Sequence, residues 1–115
     1  MTHTISSKEQ FQQEIAHEGV SVVDFYADWC GPCRMLGPIM EELQSDNAEK
    51  KVKVLKVNVD EHPDLAAEFG VSSIPVVFFI KQSEVKEGVI GAHPKTVYQE
   101  KIEKYLASTD TTPVA

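Results

Sequence analysis

Residues 20–33 read VSVVDFYADWCGPC, and this stretch decides the predicted fold. Its first half, residues 20–26, is apolar except for Ser21 and Asp24, which predicts a strand buried on both faces of a sheet. Two cysteines follow, with Gly31-Pro32 between them. From Pro32 onward, apolar residues recur at helical spacing to about Asn47. The cysteine pair is therefore predicted to lie between a buried strand and the first turn of a helix.

The rest of the chain alternates between extended and helical patterns. Ser7 and Gln10 form a capping box that begins a helix ending at Gly19, and Pro63 begins a short helix closed by Gly70. Further strands are predicted at residues 2–5, 51–59, 75–80 and 85–90. The last helix is predicted to begin near Pro94 and to bury Val97, Tyr98, Ile102, Tyr105 and Leu106. This order of elements indicates an α/β fold with helices on both faces of a central mixed sheet.

Length and composition exclude several classes of protein. The 115 residues are predicted to form one domain over residues 1–107, followed by a flexible C-terminal tail at 108–115. The longest apolar run, Ile74–Ile80, has seven residues, whereas a membrane span needs roughly 18. A net charge of -7 has the wrong sign for a surface that binds the phosphates of nucleic acid. The first residues lack the basic and apolar regions of a secretory signal, so we expect a cytoplasmic protein unless the chain has been processed.

The two cysteines, Cys30 and Cys33, are three positions apart, which brings their thiols within reach of each other on a first helical turn. The unpaired N–H groups and partial positive charge of a helix N-terminus favour the thiolate at Cys30, and the thiolate is the reactive form. Gly31-Pro32 and the adjacent Trp29 indicate an exposed turn with Cys30 at its start, which argues against two inert buried thiols. These features predict a redox-active dithiol.

Other uses of the polar residues near these elements fit less well. A zinc half-site at the cysteines would need two more ligands, and none of the histidines is paired at ligand spacing: His3, His17, His62 and His93. We therefore predict no metal. His62 and His93 each precede a proline at a predicted helix start, so we interpret both as capping residues rather than catalytic ones.

The sequence Trp29-Cys30-Gly31-Pro32-Cys33 resembles the active site of the thioredoxin family. The resemblance spans roughly Ile5 to Leu106 and includes matches at Asp24, Pro38, Lys56, Ile74-Pro75 and Gly91-Ala92. It implies the thioredoxin fold, a central mixed five-stranded sheet with helices on both faces. The chain departs from the family's usual residues at Tyr26, Arg34 and Ser83. Because of these departures, the resemblance does not define the subfamily or the partner proteins that the chain binds.

The resemblance also implies an activity, that of a general protein disulfide reductase. Cys30 attacks a substrate disulfide, Cys33 resolves the mixed disulfide, and Asp24 with Lys56 takes the proton of Cys33. No cofactor or prosthetic group is implied. The expected partners are disulfide-containing proteins and a thioredoxin reductase, usually NADPH-dependent in this family, and the protein is expected to act as a monomeric electron carrier.

A small apolar docking patch for substrates is implied as well, formed by Trp29, Gly31, Pro32, Ile74, Pro75, Gly91 and Ala92. The resemblance implies a cis peptide bond before Pro75 and an Ile74 backbone that binds the substrate chain as an added strand does. Without the resemblance, three simpler interpretations stay open: a solvent-facing Asp24, a surface Lys56 and an ordinary trans Pro75.

Two other functions remain as alternatives. Family members that oxidise or isomerise disulfides usually carry a different dipeptide between the cysteines, often with His, and an export signal. Gly31-Pro32 and the N-terminal sequence argue against that function. The fold also serves as a non-catalytic binding module, and an intact dithiol with Asp24 and Pro75 makes a purely structural role hard to motivate.

Overall fold

The computed structural model describes residues 2–107, so Met1 and the predicted tail at 108–115 lie outside the described residues. Within that range the chain alternates short strands and helices in the predicted order. The elements are β1 (His3–Thr4), α1 (Lys8–Ile15), β2 (Val20–Tyr26), α2 (Gly31–Asp46), β3 (Val52–Asn58), α3 (Pro63–Glu68), β4 (Val76–Lys81), β5 (Glu84–Ile90) and α4 (Lys95–Ala107).

The five strands form one mixed sheet in the order β1-β3-β2-β4-β5. Strand β3 pairs in parallel with both β1 and β2, whereas β4 runs antiparallel to β2 and to β5. Strand β2 is thus the central strand, with neighbours on both edges, and its apolar composition follows from that position. The predicted α/β fold, a central mixed five-stranded sheet with helices on both faces, is confirmed.

Each face of the sheet is covered by two helices. On one face α2 and α4 contribute the buried side chains Leu36, Met40, Leu43, Tyr98 and Ile102, and on the other α1 and α3 contribute Phe11, Ile15 and Leu65. Successive residues of β2 alternate between the two cores, with Val22 in the first and Val23 in the second. Because each fully buried large apolar side chain contributes roughly 1.5–3 kcal/mol, the two cores hold β2 firmly in place beneath the cysteines.

The first helix confirms its predicted start and corrects its predicted end. The Ser7 hydroxyl accepts a hydrogen bond from the Gln10 N–H at 3.0 Å, as an N-cap does, while the Gln10 side chain accepts from the Ser6 N–H at 2.6 Å. The helix ends at Ile15 rather than at Gly19. Gly19 has another role, because a Cβ there would collide with the backbone of Lys51.

Several boundaries and burial predictions shift slightly. The last helix begins at Lys95, and of its five predicted core residues Tyr98 and Ile102 are buried, whereas Val97, Tyr105 and Leu106 are half-buried. Among the helices in residues 2–107, none is long and apolar enough to cross a membrane.

The prediction that two histidines act as side-chain caps is wrong. His62 occupies the N-cap position of α3 without a side-chain capping bond, and its Nε2 lies 3.1 Å from the carbonyl oxygen of Ile5. The ring of His93 lies against the carbonyl oxygen of Ile90, 2.8 Å from Nε2. Both rings therefore contact backbone carbonyl oxygens and not the N–H groups of the helix ends.

Candidate active site

The cysteine pair lies where the sequence predicted, at the start of α2. Cys30 is the N-cap residue with an extended backbone, φ -89° and ψ 111°, and its Sγ accepts a hydrogen bond from the Cys33 N–H at 3.2 Å. The two residues form a disulfide, with their Cα atoms 5.3 Å apart. The helix N-terminus therefore directs an N–H group at the sulfur of Cys30, an arrangement that stabilises negative charge on that atom.

The exposure of the two cysteines differs from the expectation. Cys30 is only 5% exposed, the same fraction as Cys33, so Cys30 is not an openly exposed residue in the disulfide form. Tyr26, Val59 and Ile74 pack around the pair. The residues next to the cysteines are open to solvent: Trp29, Gly31 and Pro32. A substrate can therefore approach over a rim formed by these neighbours.

The Trp29 side chain is fixed at the surface beside the pair. It is 68% exposed, and its Nε1 donates a hydrogen bond to Asp60 Oδ2 at 2.9 Å. Asp60 is held in turn by Asn58, whose Oδ1 accepts from the Asp60 N–H at 2.9 Å. Asn58 and Asp60 were not predicted as site residues from the sequence. The local sequence does indicate the turn that they form, because an Asn at a strand end with a polar residue two positions later is typical of an Asx turn.

Asp24 is buried without a hydrogen-bond partner for its carboxylate among the described residues. Its side chain has no exposed surface, and neither carboxylate oxygen has a hydrogen-bond partner among residues 2–107. Desolvation raises the pKa of Asp24 to about 7, against the opposing effect of the Lys56 charge. The solvent-facing interpretation of Asp24 is therefore wrong. A carboxyl group with a pKa near neutrality can exchange a proton under physiological conditions.

Lys56 is close both to Asp24 and to the surface beside Cys33. It is the register partner of Asp24 on β3, and its ammonium lies 4.6 Å from the ring centroid of Tyr26, a cation–π distance. An open cleft of about 450 Å³ brings Lys56 together with Cys33, and its lining consists of Tyr26, Ala27, Asp28, Cys33, Arg34, Gly37 and Lys56. Asp24 itself does not line this cleft. The structure thus groups Lys56 with Cys33 at one surface and places Asp24 beside Lys56 in the sheet.

A loop containing Ile74, which packs against the cysteine pair, is joined to the loop that follows β5. The peptide bond before Pro75 is cis, as the resemblance implied, and Pro75 is buried. Gly91 adopts φ +89°, a conformation that favours glycine, and its N–H donates to the Pro75 carbonyl at 2.8 Å. The backbone N–H and C=O of Ile74 and Ala92 have no hydrogen-bond partner among the described residues. Both loops therefore offer unpaired backbone groups near the site.

A cysteine pair at a strand-to-helix junction, closed as a disulfide at a helix N-terminus, defines a thiol–disulfide oxidoreductase. The family model described as Thioredoxin matches residues 2–104 of this chain. The chain therefore belongs to the thioredoxin family, and its activity is the reduction of protein disulfides by dithiol–disulfide exchange through Cys30 and Cys33.

Individual relatives agree with this assignment. A chloroplastic M-type thioredoxin of Pisum sativum is 50% identical over 92 residues, which are 80% of this chain and 53% of the pea protein, so the chain spans about half the length of that relative. A thioredoxin of Listeria monocytogenes is 46% identical over 96 residues, covering 84% of this chain and 91% of the relative. The crystal structure of a Malassezia sympodialis thioredoxin superimposes with a TM-score of 0.85 at 38% identity, covering 93% of this chain and 92% of that one.

Proposed function

We propose that Cys30 is the attacking cysteine and Cys33 the resolving one. The observation that carries this division is the N-cap position of Cys30, whose sulfur accepts the Cys33 N–H. A Cys30 thiolate attacks one sulfur of the substrate disulfide, that bond breaks, and the other substrate sulfur leaves as a thiolate. Cys33 then loses its proton and attacks Cys30, which releases the second substrate thiolate. The substrate gains two electrons, and the protein is left with the Cys30–Cys33 disulfide.

Asp24 is the group we assign to take the proton of Cys33, with Lys56 as its helper. Two observations support this role. The pKa of Asp24 is raised to about 7 by burial, so the carboxylate can accept a proton near neutral pH. Lys56 is the register partner of Asp24 in the sheet and lines the same cleft as Cys33, so in this proposal it connects the carboxylate with the thiol.

Substrate proteins bind, in this proposal, on the docking patch formed by Trp29, Gly31, Pro32, Ile74, Pro75, Gly91 and Ala92. The unpaired backbone groups of Ile74 and Ala92 support it, because they suit hydrogen bonding to an extended substrate chain. The exposed indole of Trp29 adds an apolar surface beside the cysteines. Recognition through backbone groups is tolerant of sequence, which fits an enzyme with many protein substrates.

We further propose that a thioredoxin reductase, typically NADPH-dependent, returns electrons to the disulfide, so that the protein serves as an electron carrier in cellular redox balance. A cytoplasmic location is our proposal for the compartment, since a dithiol reductant works where thiols are kept reduced. The pea relative is chloroplastic, so the same chemistry also operates elsewhere. Gly31-Pro32 between the cysteines favours reduction over disulfide formation or isomerisation as the physiological direction.

Turnover of insulin disulfides tests this function. With dithiothreitol, or with NADPH and a thioredoxin reductase, the wild-type chain is expected to accelerate insulin reduction well above the background rate. Cys30→Ser is expected to remove this acceleration completely. Wild-type acceleration that persists in Cys30→Ser would contradict the role given to Cys30, and a wild-type rate equal to background would instead favour the binding-module alternative.

A further inference from the structure

Tyr98 connects the protein core to one of the two docking loops. Its side chain has no exposed surface and stacks near Phe79, with ring centroids 6.4 Å apart. From this position its hydroxyl reaches the loop that follows β5. The hydroxyl accepts a hydrogen bond from the His93 N–H at 3.1 Å and donates one to the Gly91 carbonyl at 3.2 Å. Burial raises the pKa of Tyr98 above its ordinary value, so the hydroxyl keeps the proton that it donates.

These two hydrogen bonds enclose a single residue, Ala92. On one side of it, Gly91 is bound both to the Tyr98 hydroxyl and, through its N–H, to the Pro75 carbonyl at 2.8 Å. On the other side, His93 is bound to the same hydroxyl, and its ring contacts the Ile90 carbonyl at 2.8 Å from Nε2. The flanking groups are thus occupied within the protein, while the N–H and C=O of Ala92 have no partner among residues 2–107.

The bond between Gly91 and Pro75 links this loop to the Ile74-Pro75 segment, where the Ile74 backbone is likewise without partners among the described residues. The relative placement of two free backbone segments therefore depends on a few hydrogen bonds, two of which end on one buried hydroxyl. If this loop were free to reorient, ordering it on substrate binding would cost free energy and weaken the affinity for the substrate.

We propose that Tyr98 is a positioning residue for substrate binding: its hydroxyl fixes the Ala92 backbone relative to Ile74 for pairing with an extended polypeptide around the target disulfide. This inference rests on the proposed docking of substrates at these loops. It predicts that the hydroxyl matters for polypeptide disulfides and much less for a small disulfide that has no peptide backbone to pair. Tyr98 does not touch the sulfur atoms and so affects binding rather than the exchange steps.

The test compares Tyr98→Phe with Tyr105→Phe, which removes a hydroxyl from the same helix. The Tyr105 hydroxyl donates to Glu87 on β5 at 2.6 Å and does not reach the loop. For insulin, Tyr98→Phe is expected to lower kcat/KM about three- to tenfold, mainly through a higher KM, as the loss of one or two hydrogen bonds implies. For the small aromatic disulfide 5,5′-dithiobis(2-nitrobenzoate) the decrease is expected to be clearly smaller. Tyr105→Phe is expected to match the wild type with both.

An equal loss of kcat/KM for both substrates would overturn the proposal, because it would indicate general disturbance of the fold. An unchanged KM for insulin would overturn it too.

Amide hydrogen exchange gives an independent measurement. The His93 amide is expected to exchange more slowly than that of Ala92 in the wild type and to lose this protection in Tyr98→Phe. If the wild-type His93 amide exchanges as fast as that of Ala92, the hydrogen bond from the His93 N–H to the Tyr98 hydroxyl does not protect it and the inference is wrong. Failure of the wild type to reduce insulin would instead refute the proposed function.

Discussion

Asp24 is the residue whose energetics are most unusual. Packing alone would favour an apolar side chain at this position, because the strand is covered on both faces and both carboxylate oxygens lack partners among the described residues. Its folded pKa of about 7 lies above the roughly 3.9 of an exposed aspartate. The protonated carboxyl therefore gives a favourable contribution that is complete below the unfolded pKa. That contribution is lost as the pH rises through the folded pKa.

Asp24→Asn is expected to be more stable than the wild type at neutral pH, since asparagine keeps the shape without the charge. A difference of about three pH units between the folded and unfolded pKa, at about 1.4 kcal/mol per unit, gives an advantage on the order of 4 kcal/mol above about pH 7 that shrinks toward about pH 4. Urea unfolding of the oxidised proteins across this range measures it, with Asp28→Asn as an exposed control expected to keep the wild-type profile. A variant less stable than the wild type at neutral pH would mean that Asp24 is paired after all.

At the residue scale, most residues of the candidate site could be predicted from the sequence, but the residues that hold them in place by hydrogen bonds could not. The cysteines, Trp29 and Pro75 stand out because their chemistry or backbone geometry is specific. Asp24 was detectable as a charge within an apolar strand, yet its burial depends on helices far along the chain, so a solvent-facing position stayed open. The contacts of Asp60 with Trp29 and of Tyr98 with Gly91 were not predicted, because the local sequence indicates at most a turn at Asp60 and a buried helical position at Tyr98, and neither pattern indicates the distant partner.

At the scale of elements, strand β3 needs protection along its outer edge. Within residues 2–107, strand β1 pairs with Leu55 and Lys56, so the earlier part of β3 extends past it. Gln44 of α2 covers this part: its Nε2 donates to the Val52 carbonyl at 3.2 Å and its Oε1 accepts from the Val54 N–H at 2.8 Å. The buried amide thus replaces a missing strand partner and satisfies two backbone groups at an otherwise open edge.

Gln44→Met is expected to destabilise the protein, because methionine fills the space but leaves the Val52 carbonyl and the Val54 N–H unpaired. Each unsatisfied buried group costs about 1–3 kcal/mol, so the free energy of unfolding should fall by roughly 2 kcal/mol or more. The control is Gln13→Met on the exposed face of α1, where little change is expected. Urea denaturation of both variants in the same redox state decides the matter, and equal stability of Gln44→Met and the wild type would contradict this role.

Element boundaries were predicted to within a few residues where the signal was local and less well where distant contacts decide. The cap at Ser7 is local, and it was correct. Gly19 was predicted to end a helix. Its lack of a side chain is instead required because the backbone of Lys51 lies against it, and no local pattern indicates a contact between residues so far apart in sequence. Similarly, the rings of His62 and His93 bind backbone carbonyls rather than helix ends.

For the whole molecule, the pattern of strands and helices indicated an α/β sheet protein and the resemblance implied a five-stranded mixed sheet, whereas the order of the strands was not predicted. Periodicity records which face of an element is buried and carries no information on its neighbours in the sheet. The order β1-β3-β2-β4-β5 depends on pairings such as Asp24 with Lys56, which lie far apart in sequence. The domain limit at 107 and the tail beyond it remain predictions.

The assembly state is a further expectation at this scale. We predict a monomer near neutral pH, because a net charge of -7 on a small chain opposes self-association. The large apolar side chains most exposed among residues 2–107 are Trp29, Met35, Val85 and Ile90. Size-exclusion chromatography with light scattering at low ionic strength should give the mass of one chain. A mass of two chains that persists on dilution would contradict the prediction.

The central claim is the division of labour between Cys30 and Cys33, and trapping of mixed disulfides tests it most directly. Reduced Cys33→Ser and Cys30→Ser variants are incubated separately with oxidised substrate proteins, and the products are compared on non-reducing gels with the linked cysteine identified by mass spectrometry. Cys33→Ser is expected to accumulate substrates attached to Cys30, because no resolving thiol remains to release them. Cys30→Ser is expected to trap almost none. Equal trapping by both variants, or preferential trapping on Cys33, would contradict the account.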